Sequence, residues 1–283
     1  MTRHAAVLGW PIGHSASPAI HDAAFRATGV DAVMRARAVP PDELLATVAA
    51  LAGDGCLGAS VTVPHKQAVM AACTSLTAPA ARIGAVNCLQ FVAAAATGTT
   101  AVIGHNTDGV GFAAALAAAG LARPAVAVVL GAGGAARAVV DALLGLGSQV
   151  TVVARRPEAA DWLPAPAVVR AWTPAVLAEV VATAAVLIDA TSAGLDAAAD
   201  RQLAAAVPVT QTPPGCLVTS LIYHHATALL ELADHAGRPT LDGRGMLVHQ
   251  AAAAFTLWTG LPAPLAVMTA ALDAELTRRA RGA

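Results

Sequence analysis

Short apolar runs rich in β-branched residues alternate along this chain with longer alanine-rich stretches of helical character, which predicts an α/β protein. The first run, 5–8, leads to a helix over 18–27 with Ser17 as its cap and Pro18 at its first position. Strands over 33–39 and 57–63 flank a helix over 42–51, and the second of them stops at Pro64. A polar connector over 95–100 precedes a strand over 101–103 and a helix over 109–119. Beyond it the rhythm is cleaner. Residues 125–130 form the uninterrupted apolar run that a sheet covered on both faces needs; 135–146 reads as the following helix and 149–154 as the next strand. Later strands are expected over 185–188 and 216–223, and closing helices over 246–258 and 264–279.

Between the strand 125–130 and its helix stands Gly131-Ala132-Gly133-Gly134-Ala135. In that setting Gly131 allows a tight exit from the strand, Gly133 leaves room for a pyrophosphate, and Gly134 or Ala135 lets the helix approach the sheet. The motif alone would serve equally a helix start that needs positive φ. The end of the next strand adds weight, because Arg155 and Arg156 stand where an acidic residue would favour the ribose diol of NAD. Guanidinium groups suit a ribose 2′-phosphate, so NADP is the expected cofactor and NAD the alternative.

Composition removes several other classes. The 17 Lys and Arg nearly balance 18 Asp and Glu, without a basic stripe, so nucleic acid is not an expected partner. Four cysteines, at 56, 73, 88 and 216, include no Cys-x-x-Cys pair; they suggest neither a metal site nor a disulfide framework, and read as small buried apolar residues in a reducing compartment. Mean hydropathy is high, +0.63, but alanine supplies much of it. The uncharged stretch 110–122 ends at Arg123-Pro124, short of the ~20 residues a span requires. The amino terminus lacks the pattern of a signal peptide, so a cytoplasmic, non-membrane protein is expected.

Candidate chemistry lies upstream of the glycine turn. Lys66 closes the run Val61-Thr62-Val63-Pro64-His65-Lys66, and 42 residues later Asp108 closes Asn106-Thr107-Asp108. When a hydride reaches a ketone carbon, charge develops on the oxygen. An ammonium can stabilise that charge and deliver a proton, and a carboxylate can hold the ammonium in place.

Taken in order, Gly9-Trp10-Pro11-Ile12-Gly13-His14-Ser15-Ala16-Ser17-Pro18, the Lys66 run, Gly84-Ala85-Val86-Asn87, Asn106-Thr107-Asp108 and the glycine turn resemble the shikimate dehydrogenase family. The resemblance continues through Thr191-Ser192-Ala193-Gly194-Leu195 and Gly243-Arg244-Gly245-Met246-Leu247-Val248-His249-Gln250, nearly end to end. It implies a small mixed α/β substrate domain over 1–107, a parallel-sheet Rossmann NADP domain over 108–242, and helices over 243–283 that complete the substrate domain. The implied reaction is reversible NADPH-dependent reduction of 3-dehydroshikimate to shikimate, in the route to aromatic amino acids, with the substrate between the domains.

Carried over by position, Lys66 and Asp108 match the family's catalytic pair. Ser15 and Ser17 match serines that bind the substrate carboxylate, and Thr62, Asn87 and Gln250 match residues that hold ring hydroxyls. Tyr223 matches a tyrosine near both ligands. Gly131, Gly133, Gly134, Ala135, Arg155, Arg156, Thr191, Ser192, Gly243 and Met246 fall on the cofactor side. His14 and His65 lie in matched motifs and are expected to hydrogen-bond structurally. No metal is implied.

The chain also departs from the family pattern. Ser60 stands for the usual Asn in the substrate pocket, Asp22 and Asp189 each stand for Asn, Ser220 for Asp, and Ala154 for the Asn before Arg155. The loop 224–230 is short and lacks the usual Pro. Two alternatives therefore remain open: a paralogous dehydrogenase for quinate, aminoshikimate or another cyclic hydroxy acid, and a non-catalytic NADP-binding regulator. Oligomeric state is open as well, with a homodimer among the choices.

Overall fold

In the computed structural model, which describes residues 2–13, 15–93 and 100–282, the chain forms two compact α/β units. His14 and most of the expected connector over 95–100 lie outside the described residues. The first unit comprises 1–111 and 248–283, and the second 112–247. Asp108, placed by the sequence at the head of the second domain, therefore groups with the first, because its side chain is bonded to Lys66 and Asn87 of that unit. Gly243 and Met246 group with the second unit, where Met246 packs in its core.

The first unit contains β1 (Arg3–Gly9), α1 (Ser17–Thr28), β2 (Ala32–Ala38), α2 (Leu44–Gly53), β3 (Gly58–Val61), β4 (Ser75–Leu76), α3 (Ala78–Ile83), β5 (Cys88–Ala93) and β6 (Thr100–His105), and α4 (Asp108–Ala118) begins in it. Its sheet runs β2-β1-β3-β5-β6-β4, with β5 antiparallel to both β3 and β6 and the other pairings parallel. Side chains alternate across such a sheet. Ala6, Leu8, Ala59 and Val61 turn to one face, against Leu44, Val48 and Leu51 of α2. On β3, Gly58 meets Trp258, whose indole Nε1 donates to the Leu89 carbonyl at 3.0 Å. A Cβ at Gly58 would lie 2.0 Å from that nitrogen, so the close approach requires glycine.

The second unit contains β7 (Val126–Leu130), α5 (Gly134–Gly145), β8 (Gln149–Ala154), β9 (Val168–Ala171), α6 (Pro174–Val181), β10 (Val186–Asp189), α7 (Ala197–Ala206), β11 (Leu217–Ser220), α8 (Ala228–His235) and β12 (Thr240–Leu241). The chain returns to the first unit within α9 (Arg244–Thr259) and ends in α10 (Leu265–Gly282). Every strand pairing here is parallel, and the order β9-β8-β7-β10-β11-β12 is the doubly wound dinucleotide-binding arrangement, reversing direction at β7/β10. Both faces are covered, as the apolar run in β7 predicts. Ala127 and Val129 pack with α4 and α5, whereas Val128 and Leu130 pack with α6, α7 and α8.

Several expected bounds shift. The strand expected over 57–63 ends at Val61, since Thr62 and His65 close a turn, and the strand expected over 216–223 ends at Ser220. Ser17 is the first helical residue of α1 and caps nothing; Ser15 Oγ accepts the Ser17 N–H at 3.3 Å instead. No helix among the described residues is long and apolar enough to cross a membrane.

Candidate active site

Lys66 sits on a loop pinned from both sides. Thr62 N donates to the Leu8 carbonyl at 2.9 Å and His65 N to the Thr62 carbonyl at 2.9 Å, while Val86 N donates to the Lys66 carbonyl at 2.7 Å. The buried His65 ring donates through Nε2 to the Val39 carbonyl at 2.8 Å, a structural bond. Asp108 is the first residue of α4, and its N–H is accepted by Asn106 Oδ1 at 3.1 Å. Asn106 in turn donates to the Ala85 carbonyl at 2.9 Å. Both side chains are thereby aimed before they meet.

Lys66 Nζ lies 2.7 Å from Asp108 Oδ2, and Asn87 Nδ2 donates to the other carboxylate oxygen at 2.8 Å. The lysine side chain is 16 % exposed and the aspartate 7 %. The carboxylate is thus enclosed while the ammonium keeps an opening, and an ammonium has three hydrogens of which Asp108 takes one. Asn87 Nδ2 is also 3.0 Å from Thr107 Oγ1 and 3.3 Å from Gln250 Oε1, and Asn87 Oδ1 accepts the Thr107 N–H at 2.7 Å. Lys66, Asn87, Thr107, Asp108 and Gln250 form one hydrogen-bonded cluster. The roles of Asn106 and Thr107 in aiming it were not legible in the sequence, although both stand in a quoted motif.

Ser15 and Ser17 share the turn into α1. Arg279 of α10 donates to the Ser15 carbonyl at 2.9 Å, a long-range tie with no local sequence signal. Ser60 is buried on β3, and its hydroxyl has no hydrogen-bonding partner among the described residues. Thr62 follows that strand directly. Asp22, one of the departures, accepts the Met34 N–H at 2.7 Å and so fastens α1 to β2.

The remaining candidates belong to the second unit. Gly131 has φ +98°, and a Cβ there would stand 3.1 Å from Thr191 and 3.3 Å from the Ala190 backbone. A Cβ on Gly133 or Gly134 would meet nothing within 4 Å, and α5, which starts at Gly134, has no side-chain cap. Open space before uncapped helix N–H groups fits a pyrophosphate. Ala135 lies in the first turn of α5; Arg155 and Arg156 are exposed just past β8. Thr191 donates its N–H and hydroxyl to Asp189 Oδ1 at 3.0 and 2.7 Å, and Ser192 beside it is exposed. Gly243 is packed so tightly that a Cβ would lie 2.2 Å from the Leu221 carbonyl oxygen. Tyr223 is half-buried, its ring edge-on to His224 at 5.6 Å. Among the described residues, no three His, Cys, Asp or Glu side chains converge as a metal site would require.

A doubly wound sheet whose glycine turn opens before an uncapped helix start, together with a lysine–aspartate pair in a mixed α/β unit, is the architecture of a two-domain dinucleotide-dependent oxidoreductase. Family models agree: "Shikimate dehydrogenase substrate binding domain" matches residues 7–89 and "Shikimate 5'-dehydrogenase C-terminal domain" matches 243–272. The shikimate dehydrogenase (NADP(+)) of Symbiobacterium thermophilum is 39% identical over 95% of this chain and 93% of its own length. Among solved structures, shikimate 5-dehydrogenase from Thermus thermophilus in complex with shikimate is 33% identical, with TM-score 0.83 over 97% of this chain and 99% of that one. Quinate dehydrogenase from Corynebacterium glutamicum in complex with NAD is 28% identical, with TM-score 0.83 over 96% and 99%. The chain belongs to the shikimate dehydrogenase family and is an enzyme of that NADP-dependent class.

Proposed function

We propose that the protein catalyses the reversible NADPH-dependent reduction of 3-dehydroshikimate to shikimate, and that it does so in the cytoplasm as a step toward aromatic amino acids. The observation that carries this reading is the partly exposed ammonium of Lys66 held 2.7 Å from an enclosed Asp108 carboxylate. NADPH supplies the hydride when bound. Lys66 stabilises the charge that develops on the ketone oxygen and delivers a proton to it from Nζ; in the reverse direction it takes the hydroxyl proton. Asp108 fixes the ammonium, and Asn87 fixes Asp108.

Residues 1–107 and the closing helices would act as the substrate domain. Ser15 and Ser17 bind the carboxylate, Ser60, Thr62, Asn87 and Gln250 meet the ring hydroxyls, and Tyr223 contacts the substrate. In the second unit Gly131, Gly133, Gly134 and Ala135 cradle the pyrophosphate and Arg155 and Arg156 receive the 2′-phosphate. Thr191, Ser192, Gly243 and Met246 complete the cofactor's seat. Support comes from the open space at Gly133 and Gly134 and from the two exposed guanidinium groups.

A second reading, oxidation of quinate or an aminated analogue, is favoured by one feature. The buried Ser60 hydroxyl lacks a partner among the described residues, leaving hydrogen-bonding capacity that an additional ring substituent would use. A kcat/KM panel for shikimate, quinate and aminoshikimate with NADP and NAD decides between them. Highest turnover of shikimate with NADP is expected; negligible shikimate turnover beside rapid use of another acid would overturn the assignment.

A further inference from the structure

The turn that enters α1 carries the two serines assigned to the substrate carboxylate, and its own bonds hold it only in part. Burial of Ile12 anchors its near end, and Ser15 N donates to the Ile12 carbonyl at 2.9 Å. Ser15 Oγ accepts the Ser17 N–H at a long 3.3 Å, and the start of α1 has no side-chain cap. Among the described residues, one hydrogen bond ties positions 11–16 to a distant part of the chain. Arg279 Nη2 donates to the Ser15 carbonyl at 2.9 Å, across 264 positions.

Arg279 is itself aimed. Its Nε donates to Glu275 Oε1 at 2.7 Å, one turn earlier on α10, and Arg278 donates to both oxygens of the same carboxylate at 2.8 Å. Hydrogen bonds from Arg278 and Arg279, acting against burial, lower the Glu275 pKa from 4.5 to about 2, so this carboxylate is charged near neutral pH. An i,i+4 Glu–Arg pair and a basic last turn would stabilise α10 by themselves. Neither requires the reach to Ser15. That reach sets a guanidinium two residues ahead of α1, at the positive end of the helix dipole. A cation there disfavours the helix alone, whereas an anion bound at the same end reverses the sign.

We propose that Arg279, braced by Glu275, is a positioning residue for the substrate carboxylate: by holding the Ser15 carbonyl it sets the Ser15–Ser17 turn in its binding shape before the ligand arrives. It acts through the Ser15 backbone and not on the reacting atoms. The inference rests on the assignment of Ser15 and Ser17 to the carboxylate and on no other part of the reading above. It holds equally for shikimate and quinate, since both carry that group.

Steady-state kinetics with the ring acid of highest kcat/KM, and deuterium exchange over residues 11–20 of the ligand-free full chain, test this. Arg279→Met should raise KM for the acid by about tenfold, the scale of one lost charge-assisted hydrogen bond, with kcat and KM for NADP near their wild-type values. Exchange over the turn should quicken in the same variant. Arg279→Lys keeps the charge and a donor and should recover part of the KM. Wild-type KM or unchanged exchange in Arg279→Met, no recovery with lysine, or a loss that falls equally on kcat and on KM for NADP would overturn the proposal. Ser15→Ala separates the two levels. A raised KM there beside a wild-type KM in Arg279→Met defeats the clamp and leaves the carboxylate assignment standing; a wild-type KM in Ser15→Ala defeats the assignment and the clamp with it. If Arg279→Met does not fold, Arg279→Gln, uncharged and too short for the bond, decides by the same readouts.

Discussion

Replacing Lys66 with alanine removes the one group for which proton delivery and local structure can be separated. The substitution takes away the ammonium 2.7 Å from Asp108 Oδ2 and leaves that oxygen in a site only 7 % exposed, while Asn87 keeps its bond to Oδ1. General-acid help is worth about 10²- to 10⁴-fold, so kcat should fall by at least ~10²-fold, or about 2.7 kcal/mol in the barrier. The folding cost should be smaller. Breaking a fully buried pair costs about 3–5 kcal/mol, but the lysine is partly open and Asn87 remains, so about 1–3 kcal/mol is expected. Cofactor affinity should hardly change, because the proposed cofactor residues lie in the second unit. Steady-state kcat and KM, a fluorescence titration with NADPH and a thermal melt give the three quantities independently. Near-normal kcat, or a loss that the unfolded fraction alone accounts for, would remove Lys66 from the chemistry.

Changing Arg155 and Arg156 together to alanine should weaken NADP binding far more than NAD binding; equal losses in the two titrations would mean that neither arginine reads the phosphate. Gly58→Ala drives a methyl into the Trp258 indole and should lower stability by about 1–3 kcal/mol or more, and an unchanged Tm would show that the indole yields freely. His21 is fully buried, its ring tilted against Trp258 with centroids 4.9 Å apart, and burial lowers its pKa from 6.5 to about 3. Its stabilisation is present above 6.5 and lost as pH falls toward 3, so His21→Phe should flatten the acid limb of the Tm profile; an unaltered limb would place the acid sensitivity elsewhere.

What the sequence disclosed, and what it did not, follows the range of the interactions. The strand over 149–154 coincides with β8, and the helix after the glycine turn with α5 to within one residue at each end, because both rest on local period and turn chemistry. The antiparallel strand β5 was not foreseen: Cys88–Ala93 follows no hairpin signal, and it exists because β3 and β6 pair with it on either side. Ser17 looked like a cap from its place before Pro18, yet α1 already begins at Ser17, Ala16 holds the cap position without a side-chain bond, and Ser17 donates its own N–H to Ser15 Oγ. In the candidate site, Lys66 and Asp108 could be named through family resemblance. The bonds of Asn87 to Asp108 and Thr107, that of Asn106 to the Ala85 carbonyl, and the tie from Arg279 to the Ser15 loop join positions far apart in the chain and depend on the completed fold, whereas the bond from Asp108 N–H to Asn106 is local.

The central claim is that the Lys66 amine serves a ketone held beside a nicotinamide. A crystal structure of the protein with shikimate and NADP bound tests it most directly. The account predicts Nζ within hydrogen-bonding reach, about 3 Å, of the hydroxyl that is oxidised, with Asp108 still on its other side. An amine bonded elsewhere, with the oxidisable hydroxyl facing a different proton donor, would contradict it.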